Sequence, residues 1–136
     1  MTVSEEIIRW LKQFDNRKLK TIDTDIQGTE NYSYSLVKEP IQNVKSYLTG
    51  KKVYTDHYMI QARLPIRYNT DRVKNNAFGE LLEDWVKEQN RIGNYPEIKD
   101  AKVQEIGITT PFYIGKTNTD NSVYQMTIAI KYEKEK

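Results

Sequence analysis

The chain of 136 residues contains no cysteine, so no disulfide holds it together and no thiolate chemistry is open to it. It has a single histidine, His57. A lone imidazole without carboxylates or thiolates at ligand spacing makes no metal site, so a structural or neutral role is expected there. Long apolar runs are missing as well. The first residues, MTVSEEIIRWLKQF, put acids where an export signal carries positive charge, and their apolar residues are spaced rather than continuous. Neither an export signal nor a membrane span is expected, which leaves the chain in the cytoplasm of the cell that makes it. Nor is there an excess of one charge. Lys+Arg 21 against Asp+Glu 19 leaves +2, mixed along the chain, so no polybasic block drives binding to nucleic acid or anionic lipid. With no internal repeat, linker or low-complexity block, one domain over residues 1–136 is expected, large enough to bury roughly two-thirds of its unfolded surface.

Tyrosine is abundant: Tyr 10, against Phe 3 and Trp 2. Its ring and hydroxyl suit half-buried sheets and interfaces alike. The organising stretch is residues 58–90. Tyr58, Ile60, Ala62, Leu64 and Ile66 alternate with His57, Met59, Gln61, Arg63 and Arg67, the pattern of a strand with one buried and one wet face. Phe78, Leu81, Leu82 and Trp85 then fall at i, i+3, i+4 and i+7, one stripe of a helix that Asn69, Thr70 and Asp71 can cap.

An earlier helix is expected from Ile7, Trp10, Leu11 and Phe14, capped by Thr2 with Glu5 or by Ser4, and stopped at Asp15 and Asn16. A weak strand over residues 19–27, a turn at 28–31 and a short strand around Tyr32, Tyr34 and Leu36 follow. Pro40 is expected to interrupt. Residues 44–48 then form another strand, joined to the long one by a hairpin turn at Thr49, Gly50, Lys51 and Lys52. Gly93 and Pro96 mark a loop. Residues 102–109 form a strand with Ile106 and Ile108 on one face, and residues 111–121 an exposed connection. In the last strand Tyr124, Met126, Ile128, Ile130 and Tyr132 face inward, while Gln125, Thr127 and Lys131 face out. The expected fold is α+β: a single antiparallel sheet, possibly mixed, of about 4–6 strands, with two amphipathic helices packed on it.

Candidate chemistry is sparse. Gly115-Lys116-Thr117 ends like a phosphate loop, but Thr110 stands where its first glycine belongs, so a hairpin tip is the better reading. Residues 23–28 start like a calcium loop, but Tyr34 occupies the place of its bidentate glutamate. Asp71, Glu80, Glu83 and Asp84 form a solvated helix face. Arg63 and Arg67 share the outward face of the long strand, which is either solvated or a partner surface. Trp10 and Trp85 are core candidates, and Trp85→Ala would cost about 3–5 kcal/mol if the ring is buried.

Four segments together carry a family resemblance: YLTGKKVYTDHYMIQARLPIRYNTD, NNAFGELLEDWVKEQN, RIGNYPEI and VYQMTIAIKYEKE. They resemble the small minor capsid or tail terminator proteins of tailed phages, in a tryptophan helix followed by a Gly…Pro loop and in a closing Tyr-Gln strand. The likeness runs over most of residues 32–133. It implies a structural protein without catalytic residues, metal or cofactor, forming a homohexameric ring that ends tail-tube polymerisation. Partners implied are the tail tube protein, the head–tail connector or stopper, and sheath if the tail contracts. DNA would pass through the lumen without sequence-specific binding, no membrane would be involved, and the location would be the virion neck. Expected contact residues are Leu48, Thr49, Gly50, Lys51 and Lys52 at a hairpin tip, Arg63 and Arg67 on the strand face, and Phe112, Tyr113, Lys116, Asn118 and Asp120 in the late loop.

Two other classes remain open at this stage. One is a ligand-binding or enzymatic α+β domain with a pocket lined by Tyr32, Tyr34, Tyr58 and Tyr124. The other is a nucleic-acid module that stacks bases on exposed tyrosines.

Overall fold

A stretch of alternating apolar residues becomes a strand with one dry face, and the longest such stretch here lies in the middle of a sheet. The computed structural model describes residues 2–14, 22–24, 32–118 and 120–135. It comprises α1 (Val3–Leu11), β1 (Ile22–Thr24), β2 (Ser33–Ser46), β3 (Lys51–Pro65), α2 (Asn69–Ile92), β4 (Lys102–Thr117) and β5 (Asn121–Glu135). The strands form one sheet in the order β1-β2-β3-β5-β4. Every pairing is antiparallel except that of β1, three residues lying parallel to β2. The fold is α+β, as expected. α1 ends at Leu11 with its C-cap at Lys12, short of the expected stop at Asp15 and Asn16, so Phe14 joins the core from beyond the helix end. The turn at 28–31 and the calcium-like start beyond Thr24 lie outside the described residues, as does most of the weak strand.

One face of the sheet is dry. Tyr34, Leu36, Tyr58, Ile60, Ala62, Leu64, Met126, Ile128 and Ile130 are all buried. They form one cluster with Ile7, Trp10 and Leu11 of α1 and with Phe78, Leu82 and Val86 of α2. Both helices therefore cover the same face. They meet along an aromatic seam, Trp10 to Trp85 at 4.7 Å and Phe14 to Trp85 at 5.7 Å between ring centroids. Trp10 Nε1–H also donates to the Asn94 carbonyl at 2.7 Å, which satisfies its one polar atom inside the core.

The α1 cap is the expected box: Thr2 Oγ1 accepts from the Glu5 amide, and Glu5 reaches back to the Thr2 amide. The α2 cap differs. The helix begins at Asn69, so Asn69 and Thr70 lie inside it, and Asp71 alone reaches back to accept from the Tyr68 amide at 3.1 Å. Its buried stripe is Asn75, Phe78, Gly79, Leu82 and Val86, while Leu81 is 57% exposed. Leu81 is displaced because the dry stripe is centred near Leu82, and the preceding residue, about 100° away around the helix, falls on the wet side.

Two expected breaks are not breaks. β2 runs through Pro40, with a register shift between Lys38 and Gln42 that leaves the residues between them unpaired. β4 runs through Pro111 and Gly115 to Thr117, so the connection to β5 shrinks to residues 118–120. Proline is tolerated in both because each stands where a ladder bond is not required: a bulge in β2 and the outer edge in β4. The outer edge of β4 is instead met by side chains. Asn90 Oδ1 accepts from the Ile106 amide at 2.9 Å and Glu83 Oε1 from the Phe112 amide at 3.2 Å. Tyr95 Oη donates to the Gln104 carbonyl at 3.1 Å. That covering blunts the edge against strand addition.

Candidate functional site

The long pairing of β3 with β5 sets the geometry of every candidate surface. It runs from Lys51 opposite Glu135 to Pro65 opposite Asn121, about 45 Å at about 3.3 Å per residue. The β2–β3 turn lies at one end and the β4–β5 turn at the other. The two expected hairpin contact regions are therefore separate surfaces at opposite ends of the molecule.

The β2–β3 end is an arm. Every residue from 40 to 50 is exposed, and Leu48 at the tip is fully so. The turn is closed by the Gly50 amide donating to the Tyr47 carbonyl at 3.0 Å, and Gly50 takes φ 90°, a left-handed value suited to glycine. Leu48 and Thr49 form the turn with Gly50, while Lys51 and Lys52 already belong to β3. Lys45 and Lys51 flank the Tyr47 ring at 5.5 and 5.9 Å. Lys51 also meets Glu133 at 2.8 Å, and that contact holds the Glu133 carboxyl below its ordinary range.

A polar cluster anchors the root of this arm. Asp56 is 1% exposed and accepts from Tyr132 Oη at 2.7 Å and from Gln42 Nε2. Gln42 is the residue at which pairing resumes after the β2 bulge. The tie thus fixes where the arm leaves the body. Burial raises the Tyr132 phenol above its usual pKa, and the Asp56 carboxylate adds to the rise. Asp56 was not singled out from sequence, although a signal existed. It shares the parity of Tyr58, Ile60 and Ala62, so period two alone places it on the buried face.

The other candidates separate. Arg63 stays on the helix-free sheet face, donating to Asn121 Oδ1 at 2.9 Å. With Gln61, Lys116, Val123 and Gln125 it lines a shallow cleft of about 260 Å³. Arg67 does not share that face: β3 ends at Pro65, and Arg67 lies exposed in the bend before α2, 5.6 Å from the Tyr68 ring. Phe112 is not an exposed loop residue. It stacks on Tyr124 at 5.2 Å and meets Phe78 edge-on at 5.8 Å, because β4 continues as a strand and turns that ring inward. Tyr113 is exposed on β4 and bonds Gln125. Asn118 shapes the tip by accepting from the amides of Asp120 and Asn121 at 3.0 and 2.9 Å. Asp120 offers its carbonyl to the Ile66 amide at 3.0 Å.

The tyrosine pocket does not form as expected. Tyr34, Tyr58 and Tyr124 are buried beneath the helices, whereas Tyr32 is 49% exposed at φ 64°. Among the described residues no group of three or more His, Asp or Glu side chains is placed to hold a metal ion, and no helix is long and apolar enough to cross a membrane.

In comparisons with known proteins, the chain matches no family model and no curated protein. Two surfaces of the molecule stand out. The first is the basic arm with its apolar tip. The second was missed from sequence: the outward face of α2, where exposed Val73 and Leu81 lie among Glu80, Asp84 and Glu88. Its signal was the i, i+4, i+8 spacing of Val73, Ala77 and Leu81, a second stripe opposite the first.

Proposed function

We propose that this chain is an assembly subunit, and that the assembly is the ring that caps the tail tube of a tailed phage. The observation that carries the assembly reading is the β2–β3 arm. An exposed stretch over residues 40–50, with a fully exposed leucine at its tip, leaves apolar surface in water unless another chain covers it. The neck assignment rests on the resemblance of residues 32–133 to tail terminator proteins.

In this reading copies of the chain surround a lumen through which DNA passes without sequence-specific contacts. One side of the ring meets the tail tube protein and the other meets the connector or stopper, with sheath outside if the tail contracts. The protein works in the neck of the virion and is assembled in the host cytoplasm. Arm and cleft lie at opposite ends of β3, which suits a subunit that must touch different partners in different directions.

The test is location. Particles carrying a tagged copy are labelled with gold and imaged by electron microscopy. Label at the head–tail junction is expected. Label on the head surface, or none on purified particles, overturns the neck assignment.

A further inference from the structure

The arm and the outward face of α2 are complementary in charge as well as in apolar content. From Pro40 to Thr55 the chain has Lys45, Lys51 and Lys52 and no carboxylate. Lys45 and Lys51 flank Tyr47, and Tyr47 and Leu48 are exposed at 44% and 109%. On α2, Leu81 is 57% exposed and is flanked by exposed Glu80 and Asp84. Each surface has an apolar centre with a charged rim: basic on the arm and, immediately around Leu81, acidic at Glu80, Asp84 and Glu88, with exposed Lys74 and Lys87 further along the helix. Covering the two leucines removes apolar area from water, while opposite rims steer the approach and set its register.

We infer that the arm of one copy docks on the outward face of α2 of a second copy, with Leu48 against Leu81 and the arm lysines beside Glu80 and Asp84. This contact rests on the assembly reading and names the surfaces by which one subunit holds the next. Within one chain the contact is not made, because residues 40–50 are exposed along their whole length. Each copy gives an arm and receives one, either reciprocally within a two-fold pair or head to tail. Repetition closes a ring when the rotation between copies divides a full turn, and otherwise grows a filament. The covered outer edge of β4 removes one competing route, strand addition along residues 104–112.

The absence of cysteine makes the test clean. Leu48→Cys and Leu81→Cys are made separately in the full chain. Both sites are exposed, so neither change disturbs the core. The two variants are mixed, oxidised with copper phenanthroline, and run on non-reducing gels. The mixture is expected to give disulfide-linked dimer well above the yield of either variant alone. Adding Lys45→Glu and Lys52→Glu to the arm variant should lower that yield about tenfold, and adding Glu80→Lys and Asp84→Lys to its partner should restore it, as expected for charges facing one another across an interface.

A mixture no better than the single variants overturns the contact. If wild-type protein sediments as an oligomer while the mixture fails to cross-link, the contact is overturned and the ring proposal survives. Cross-linking with no protein at the particle neck supports the contact and overturns the neck assignment. Arm-dependent binding to anionic vesicles or single-stranded DNA, with no cross-link, overturns the contact and gives the arm to that partner.

Discussion

A methyl group at position 79 would sit 2.2 Å from Phe112 Cδ2 and 2.7 Å from its Cγ. Gly79 lies on the buried stripe of α2, and its missing side chain is the space into which β4 places the Phe112 ring. That ring has little room to retreat, because Tyr124 stacks on it and Phe78 meets it edge-on. Alanine favours the helix by about 1 kcal/mol over glycine, whereas overpacking a core costs about 1–3 kcal/mol. Overpacking should win, so Gly79→Ala is expected to lower stability, by up to about 2 kcal/mol, in urea titrations. A midpoint equal to or above that of the wild type would show that the ring yields. The sequence alone does not give this role to Gly79, since a glycine inside a helix stripe says nothing of which ring fills the gap. The role of Asp56 was closer to legible. Parity placed it inside, but only the paired strand and the bulge supply Tyr132 and Gln42 as its donors. An acid in that position without them would leave a buried charge unsatisfied.

Helix α1 is nine residues long, too short to persist by itself in water, and its docking depends on its aromatic contacts. Trp10 is 1% exposed, donates to the Asn94 carbonyl and meets Trp85, whereas Trp85 is only half-buried. The cost of about 3–5 kcal/mol for deleting a buried tryptophan therefore belongs to Trp10→Ala. Trp85→Ala, which removes less buried area, should cost about 2 kcal/mol. Chemical denaturation of both variants checks the order, and a larger loss at Trp85 would mean that the α2 side of the seam matters more. Both stripes were readable from spacing, but the relative burial of the two indoles was not. Spacing says which side of a helix turns inward, while burial depends on how far the facing helix extends over it. The length of β4 was misread for a related reason. Proline and glycine suggest a loop when only local preference is considered, yet a strand at the sheet edge tolerates both.

At the scale of the whole molecule, two core phenols make stability depend on alkaline pH. Burial raises the pKa of Tyr34, and burial with the Asp56 contact raises that of Tyr132. A group whose folded pKa lies above its unfolded value, about 10 for tyrosine, adds stability that is fully present below that value and is lost as pH rises through the folded one. Thermal stability should thus be insensitive to these groups up to about pH 9 and fall above about pH 10. The fall should be shallower in Tyr132→Phe, as measured by circular dichroism melting across that range. An equal slope in the variant would mean that Tyr132 ionises without penalty.

Periodicity by itself determined the inward sets of β3 and β5, the existence of both helices, and the α+β class, because each depends on how one short segment divides water from core. Residue chemistry also placed a hairpin turn at residues 49–52; the structure keeps Thr49 and Gly50 in it, adds Leu48 and puts Lys51 and Lys52 in β3. The tertiary structure alone decided which prolines fall in strands, which carboxylates face α2's open side, that Arg67 leaves the sheet while Arg63 stays, and that residues 40–50 stay exposed beside a fully paired β3. Those outcomes depend on which strand lies alongside and where a neighbouring element stops, and a local period carries no record of either.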